Sequence, residues 1–87
     1  PGDGAILLEL GRVHRELSVY GESLRWFARA GAAMPNASEP PLETVRTLLL
    51  AGRMTEAEQL VQRLGETAIA QEAKELLEKF RAGSRKN

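Results

Sequence analysis

The side chains of this sequence best suited by type to chemistry are one histidine, His14, and three arginines at helical spacing, Arg12, Arg15 and Arg46. General acid–base catalysis needs a titrating group matched with a second one in a single buried cleft. His14 has no such partner by spacing, and the carboxylates are scattered over what periodicity makes solvent faces. There is no cysteine, which removes thiolate chemistry, disulfides and Cys-ligated zinc, and a single histidine rules out a multi-His metal site within the chain. The phosphate-cradling, nucleophile-elbow, zincin and dinucleotide patterns are all missing. Neither catalytic activity, nor a cofactor, nor a metal is therefore expected.

The arginines offer a different chemistry. A guanidinium is a planar fork that grips a carboxylate through two hydrogen bonds. Arg12 and Arg46 lie 34 residues apart, and two arginines brought into register would grip a carboxylate or an acidic peptide. The other reading is that all three are solvated residues paired with Glu9, Glu16 or Glu43. Twelve basic and twelve acidic residues cancel to a net charge of zero, which argues against nucleic acid or a polybasic membrane tether as partner. No apolar run approaches the roughly 20 residues that span a bilayer, so membrane insertion is not expected. A chain beginning at Pro1 rather than Met is read as a piece of something longer. A soluble location is expected, the cytoplasm favoured over the periplasm.

These residues are carried on helices, since apolar positions recur with helical period and nowhere alternate as in a strand. Asp3 is the expected cap of a first helix with Ile6, Leu7, Leu10, Val13, His14 and Leu17 on its apolar face. A tight turn at Ser18 to Gly21 leads to a second, from about Gly21 to Met34, burying Leu24, Trp26, Phe27, Ala30 and Ala33. Pro35 stops it. Ser38 is the expected cap of a third, about Pro40 to Ala51, with Leu42, Val45, Leu48 and Leu49 inward and Gly52 as the left-handed terminator. Thr55 and Glu58 read as a capping box opening a fourth helix, with Ala57, Leu60, Val61 and Leu64 inward, closed by Gly65. A fifth runs from Thr67 or Ile69 to Ala82, with Ala73, Leu76, Leu77 and Phe80 apolar and Glu75–Lys79 as a surface pair.

Shifting the chain by 34 residues brings Val45 onto Gly11, Leu48 onto His14, Ala57 onto Ser23, Val61 onto Phe27 and Leu64 onto Ala30. The first unit, Leu7-x-x-Leu10-Gly11-x-x-His14 followed by Tyr20-x-Glu22-Ser23-Leu24-x-Trp26-Phe27-x-x-Ala30 and Pro35, resembles the tetratricopeptide repeat. Leu7 and His14 replace that family's Trp and Tyr. The second unit is similar in Gly52-Arg53-x-x-Glu56-Ala57-x-x-Leu60-Val61, but departs from the pattern at Pro40, Pro41, Thr44, Val45 and Glu58. The resemblance covers about Gly4 to Ile69. It implies an all-α fold, a right-handed superhelical stack of antiparallel helix pairs in one domain over residues 1–87. Its parts would be a first repeat over 4–37, a second over 38–69, a capping helix over 70–82 and a frayed tail over 83–87.

The resemblance further implies a non-catalytic scaffold or adaptor that binds a partner peptide or helix in a concave groove lined by the first helix of each pair. The groove residues carried over are Leu8, Arg12, Arg15, Arg46, Leu49 and Leu50, with Glu16, Leu42, Ala73, Leu76 and Phe80 around them. Leu8 and Arg12 stand where one branch of the family has a Lys/Asn clamp for C-terminal carboxylates, so that clamp is not expected. His14 falls on the motif's aromatic, which makes it a packing residue. A solenoid unit cannot bury its apolar face alone, and two pairs plus one helix make a short stack. The alternative expectation is a structural segment that self-associates through an open end at Ile6, Leu7 and Leu10, or positions another domain of a longer chain.

Overall fold

Spacing and capping produce five helices in the computed structural model, which describes residues 3–85. They are α1 (Gly4–Glu16), α2 (Tyr20–Ala33), α3 (Glu39–Leu50), α4 (Met54–Leu64) and α5 (Ala68–Arg85), with no strand among the described residues. Each packs on its neighbour in the chain, and α5 folds back to touch α3 as well as α4. The thinnest dimension, 16 Å, is that of two packed helix layers.

The turns explain how successive helices reverse. At the end of α3, Gly52 has φ +77°, its N–H donates to Leu49 O, and the Arg53 N–H donates to Leu48 O at 2.8 Å. This 6→1 and 5→2 pairing satisfies carbonyls that the helix end would leave unpaired. The same pairing closes α1: the Ser18 N–H donates to Arg15 O and the Val19 N–H to His14 O, with Ser18 at φ +63°. The two motifs lie 34 residues apart, as do the ends of α1 and α3 and the starts of α2 and α4.

Two clusters form the core. Leu8, Phe27 and Ala30 join α1 to α2, with Leu7 and Met34 packed against them. Val45, Leu48, Leu49, Ala57, Val61, Ala73 and Leu77 join α3, α4 and α5. The first seam depends on glycine. A Cβ at Gly11 would sit 2.5 Å from the Phe27 ring, and Ser23 beside it donates to Gly11 O at 2.7 Å.

This seam corrects the expected inward face of α1. The residues buried there are Gly4, Leu8 and Gly11, while Leu7, Leu10 and His14 are half-buried and Ile6, Val13 and Leu17 are exposed. The widest apolar arc of α1 is thus not the arc that meets α2. Close approach selects the side with glycines. On α2, Phe27 and Ala30 are buried as expected, Leu24 and Trp26 are half-buried, and Ala33 is exposed. The turn before it is shorter than expected, because Tyr20 and Gly21 are already helical.

Helix starts follow the expectations unevenly. Asp3 caps α1, its carboxylate accepting from the Ala5 N–H at 3.0 Å. Thr67 caps α5 through the Ala70 N–H, also at 3.0 Å. Ser38 precedes α3 but makes no side-chain capping bond, and α3 begins one residue early, at Glu39. The Thr55–Glu58 box does not form, since α4 starts at Met54 with Arg53 before it. Glu58 is drawn away to Arg81 of α5, and Arg53 instead pairs with Glu56 at 2.6 Å. No ion pair within 4.0 Å joins Glu75 to Lys79 among the described residues; Arg81 takes Glu78 instead. Helix α5 continues past Ala82 to Arg85, where fraying was expected, and residues 86 and 87 lie outside the described residues.

Two substitutions test this architecture. Gly11→Ala should lower stability by about 1–3 kcal/mol in chemical denaturation, because the Phe27 ring has to move. Ser18→Gly should raise it by about 0.5–1 kcal/mol by relieving a left-handed backbone at a non-glycine residue.

Candidate functional site

The most concentrated chemistry lies where α1 crosses α3. Glu43, in the second turn of α3, is only 4% exposed. A carboxylate so placed must be paired, because desolvation alone would drive it to its neutral form. Its Oε2 accepts from Arg12 Nε at 2.7 Å and its Oε1 from Arg15 Nη1 at 3.0 Å, both from α1. Arg46, one turn along α3, donates to the same Oε1. Arg12 also donates to Glu9 at 2.8 Å, and the Arg15 guanidinium lies 5.6 Å from the centre of the Phe27 ring.

Burial pushes the Glu43 carboxyl upward, but the hydrogen bonds from Arg15 and Arg12 and the charges of Arg15 and Arg46 outweigh it and hold it down to about 2. The same contacts raise Arg12, first through its hydrogen bond to Glu43. Neighbouring side chains steady α3 here: Thr47 Oγ1 donates to Glu43 O at 2.7 Å and Thr44 Oγ1 to Pro40 O at 2.8 Å.

Of the six groove residues, Arg12, Arg15 and Arg46 do come together, but around a carboxylate of the chain itself. Leu8 and Leu49 are core residues, 4% and 3% exposed, and so are not part of an open surface. Leu50 is half exposed. Arg46 is the most accessible of the three arginines, with 47% of its side chain open against 16% for Arg15. It lines a shallow cleft of about 160 Å³ between α3 and α5, with Leu42, Glu72, Glu75, Leu76 and Lys79.

The remaining candidates are occupied by packing. His14 Nδ1 lies 2.7 Å from Leu10 O; a carbonyl only accepts, so this nitrogen carries the proton. The imidazole also lies 6.0 Å from the Trp26 ring, which Arg29 covers at 4.8 Å. Among the described residues, no group of three or more His, Asp or Glu is placed to hold a metal ion, and no helix is long and apolar enough to cross a membrane.

The sequence reading named Glu43 as one of three pairing candidates but missed it as the shared, buried centre of all three arginines, although Glu9–Arg12 and Glu43–Arg46 show the same i,i+3 pattern 34 residues apart. It expected the open flank of α1 at Ile6, Leu7 and Leu10, whereas the exposed stripe is Ile6, Val13 and Leu17, because α1 carries apolar residues on more than one face. No protein-family model, no curated protein and no solved structure matches the chain.

The clamp has a pH signature. With its folded value below that of the unfolded chain, Glu43 contributes stability that is complete above about pH 5 and is lost as pH falls towards 2. The contribution is about 3 kcal/mol at neutral pH. Glu43→Gln should therefore destabilise the chain at pH 7 and flatten the acid limb of a thermal-melting profile between those limits. An acid limb that is unchanged in the variant would show that the clamp does not hold α1 to α3.

Proposed function

We propose that the chain is a non-catalytic protein–protein interaction module of the tetratricopeptide type, a right-handed superhelical stack of helix pairs ending in a capping helix. The observation that carries this reading is the 34-residue recurrence of helix ends, of the left-handed turns at Ser18 and Gly52, and of the Glu9–Arg12 and Glu43–Arg46 pairs. A recurring unit of two helices buries its surface by stacking and leaves long faces open for partners.

The face used is that of α1, α3 and α5. With Leu8 and Leu49 withdrawn into the core, its accessible elements are Arg46, Leu50 and the cleft between α3 and α5. Arg12 and Arg15 act there by positioning α3 through Glu43. An acidic segment of a partner meets the outer edge of Arg46 and Lys79, while Leu42, Leu50 and Leu76 contribute apolar contact. Exposed Ile6, Val13 and Leu17 support a second reading, that the segment also serves in assembly through the outer side of α1.

Screening the immobilised chain against a peptide library tests the concave face. Retained peptides should be enriched in Asp and Glu beside an apolar residue. Lys79→Gln should weaken them about fivefold with little change in melting temperature, since Lys79 is exposed and, unlike Arg46, takes no part in the Glu43 clamp. Equal retention by the variant would remove this face from the reading.

A further inference from the structure

The cleft between α3 and α5 holds more charge than the chain itself pairs. It is lined by Leu42 and Arg46 of α3 and by Glu72, Glu75, Leu76 and Lys79 of α5. The four α5 residues recur at helical spacing and so form one stripe along the cleft. Glu75 and Lys79 are one turn apart, and Arg46 lines the same cleft but is committed to Glu43. No ion pair within 4.0 Å involves Glu72, Glu75 or Lys79 among the described residues, and all three are exposed. These free charges are sorted along the helix. Both carboxylates precede half-buried Leu76 and the ammonium follows it. Along the axis Leu76 lies about 6 Å beyond Glu72 and about 4.5 Å before Lys79.

We infer, resting on the concave-face reading, that this cleft takes an extended partner segment with a basic, an apolar and an acidic residue at alternate positions. The cation meets Glu72 and Glu75, the apolar side chain enters between Leu42 and Leu76, and the carboxylate meets Lys79. Alternate residues of an extended chain point the same way and stand about 6.6 Å apart, which matches the spacing of the stripe. At about 160 Å³ the cleft has room for one apolar side chain and not for the girth of a helix. A wholly acidic segment sets its own carboxylates against Glu72 and Glu75, and a wholly basic one meets Lys79, so the sorted charges select composition and order together. The described segments between helices, 17–19, 34–38, 51–53 and 65–67, carry no such pattern, so a second copy does not supply it from them.

Two synthetic peptides, identical except that one carries Lys-x-Leu-x-Asp and the other Gln-x-Leu-x-Asp, provide the test by calorimetry against the whole chain at low salt. The lysine peptide should bind about tenfold more tightly, and its advantage should shrink as salt is raised. Glu72→Gln combined with Glu75→Gln should bring the two peptides to equal affinity. Should that double variant fail to fold, Glu75→Gln alone should cut the advantage about threefold. Equal binding of the two peptides by the unaltered chain, or an advantage that survives these substitutions, would overturn the proposal. If both peptides still bind and both weaken in Lys79→Gln, the acidic-partner reading stands without it. Binding of neither peptide would overturn both. A dimer of the free chain that the double substitution dissolves in sedimentation would also overturn the proposal, since a second copy would then fill the cleft.

Discussion

A carboxylate without water needs its charge answered within a few ångströms, and in this chain that requirement ties α1 to α3. Glu43 is nearly inaccessible and is met by Arg12 and Arg15 from one helix and Arg46 from its own. The apolar core divides into a cluster between α1 and α2 and another among α3, α4 and α5. The clamp spans from the first cluster's helix to the second's. A chain of stacked helices held only by apolar contact could slide by a turn at modest cost. One buried charge with fixed partners sets the register, because any slip leaves guanidiniums and carboxylate mismatched.

Glycine sets the spacing that makes this clamp reachable. Phe27 packs into the gap left by Gly11, and Ser23 donates to the Gly11 carbonyl beside it. The resulting close approach of α2 turns the glycine side of α1 inward and rotates Ile6, Val13 and Leu17 outward. Arg12 and Arg15 are then aimed at α3. Packing at one seam thus fixes where charge is presented at the next, and the exposed stripe is the geometric consequence.

Much of the helical layout was legible in the sequence, because it rests on local rules. Asp3, Gly52, Gly65 and the helical period mark helices to within a residue or two except at the end of α5, and the 34-residue shift anticipates the recurrence of both reverse turns. Less legible was which face of an apolar-rich helix is buried. Leu8 reads as a groove residue and Ile6 as core, yet the structure reverses them, since the choice depends on the size of Phe27 across the seam. The Thr55–Glu58 box did not form because α4 begins at Met54, which places Thr55 inside the helix and leaves Glu58 to pair with Arg81 of α5. The arginines were found by type and spacing with Glu43 among their candidate partners, but its place as their shared buried centre was not, because Glu43 reaches Arg12 and Arg15 only after α3 has packed.

Glu9 and Glu43 show what that packing supplies. Both carboxylates hold an arginine three residues on, so the intrinsic helix chemistry is the same at both places. The difference is what packs against them. In front of α3 stands a helix that contributes two guanidiniums and, behind it, a second helix that covers the apolar side. In front of α1 no such layer stands among the described residues, so Glu9 keeps only Arg12 and stays open to water, and Ile6, Val13 and Leu17 remain exposed where their counterparts Pro40 and Thr47 are buried.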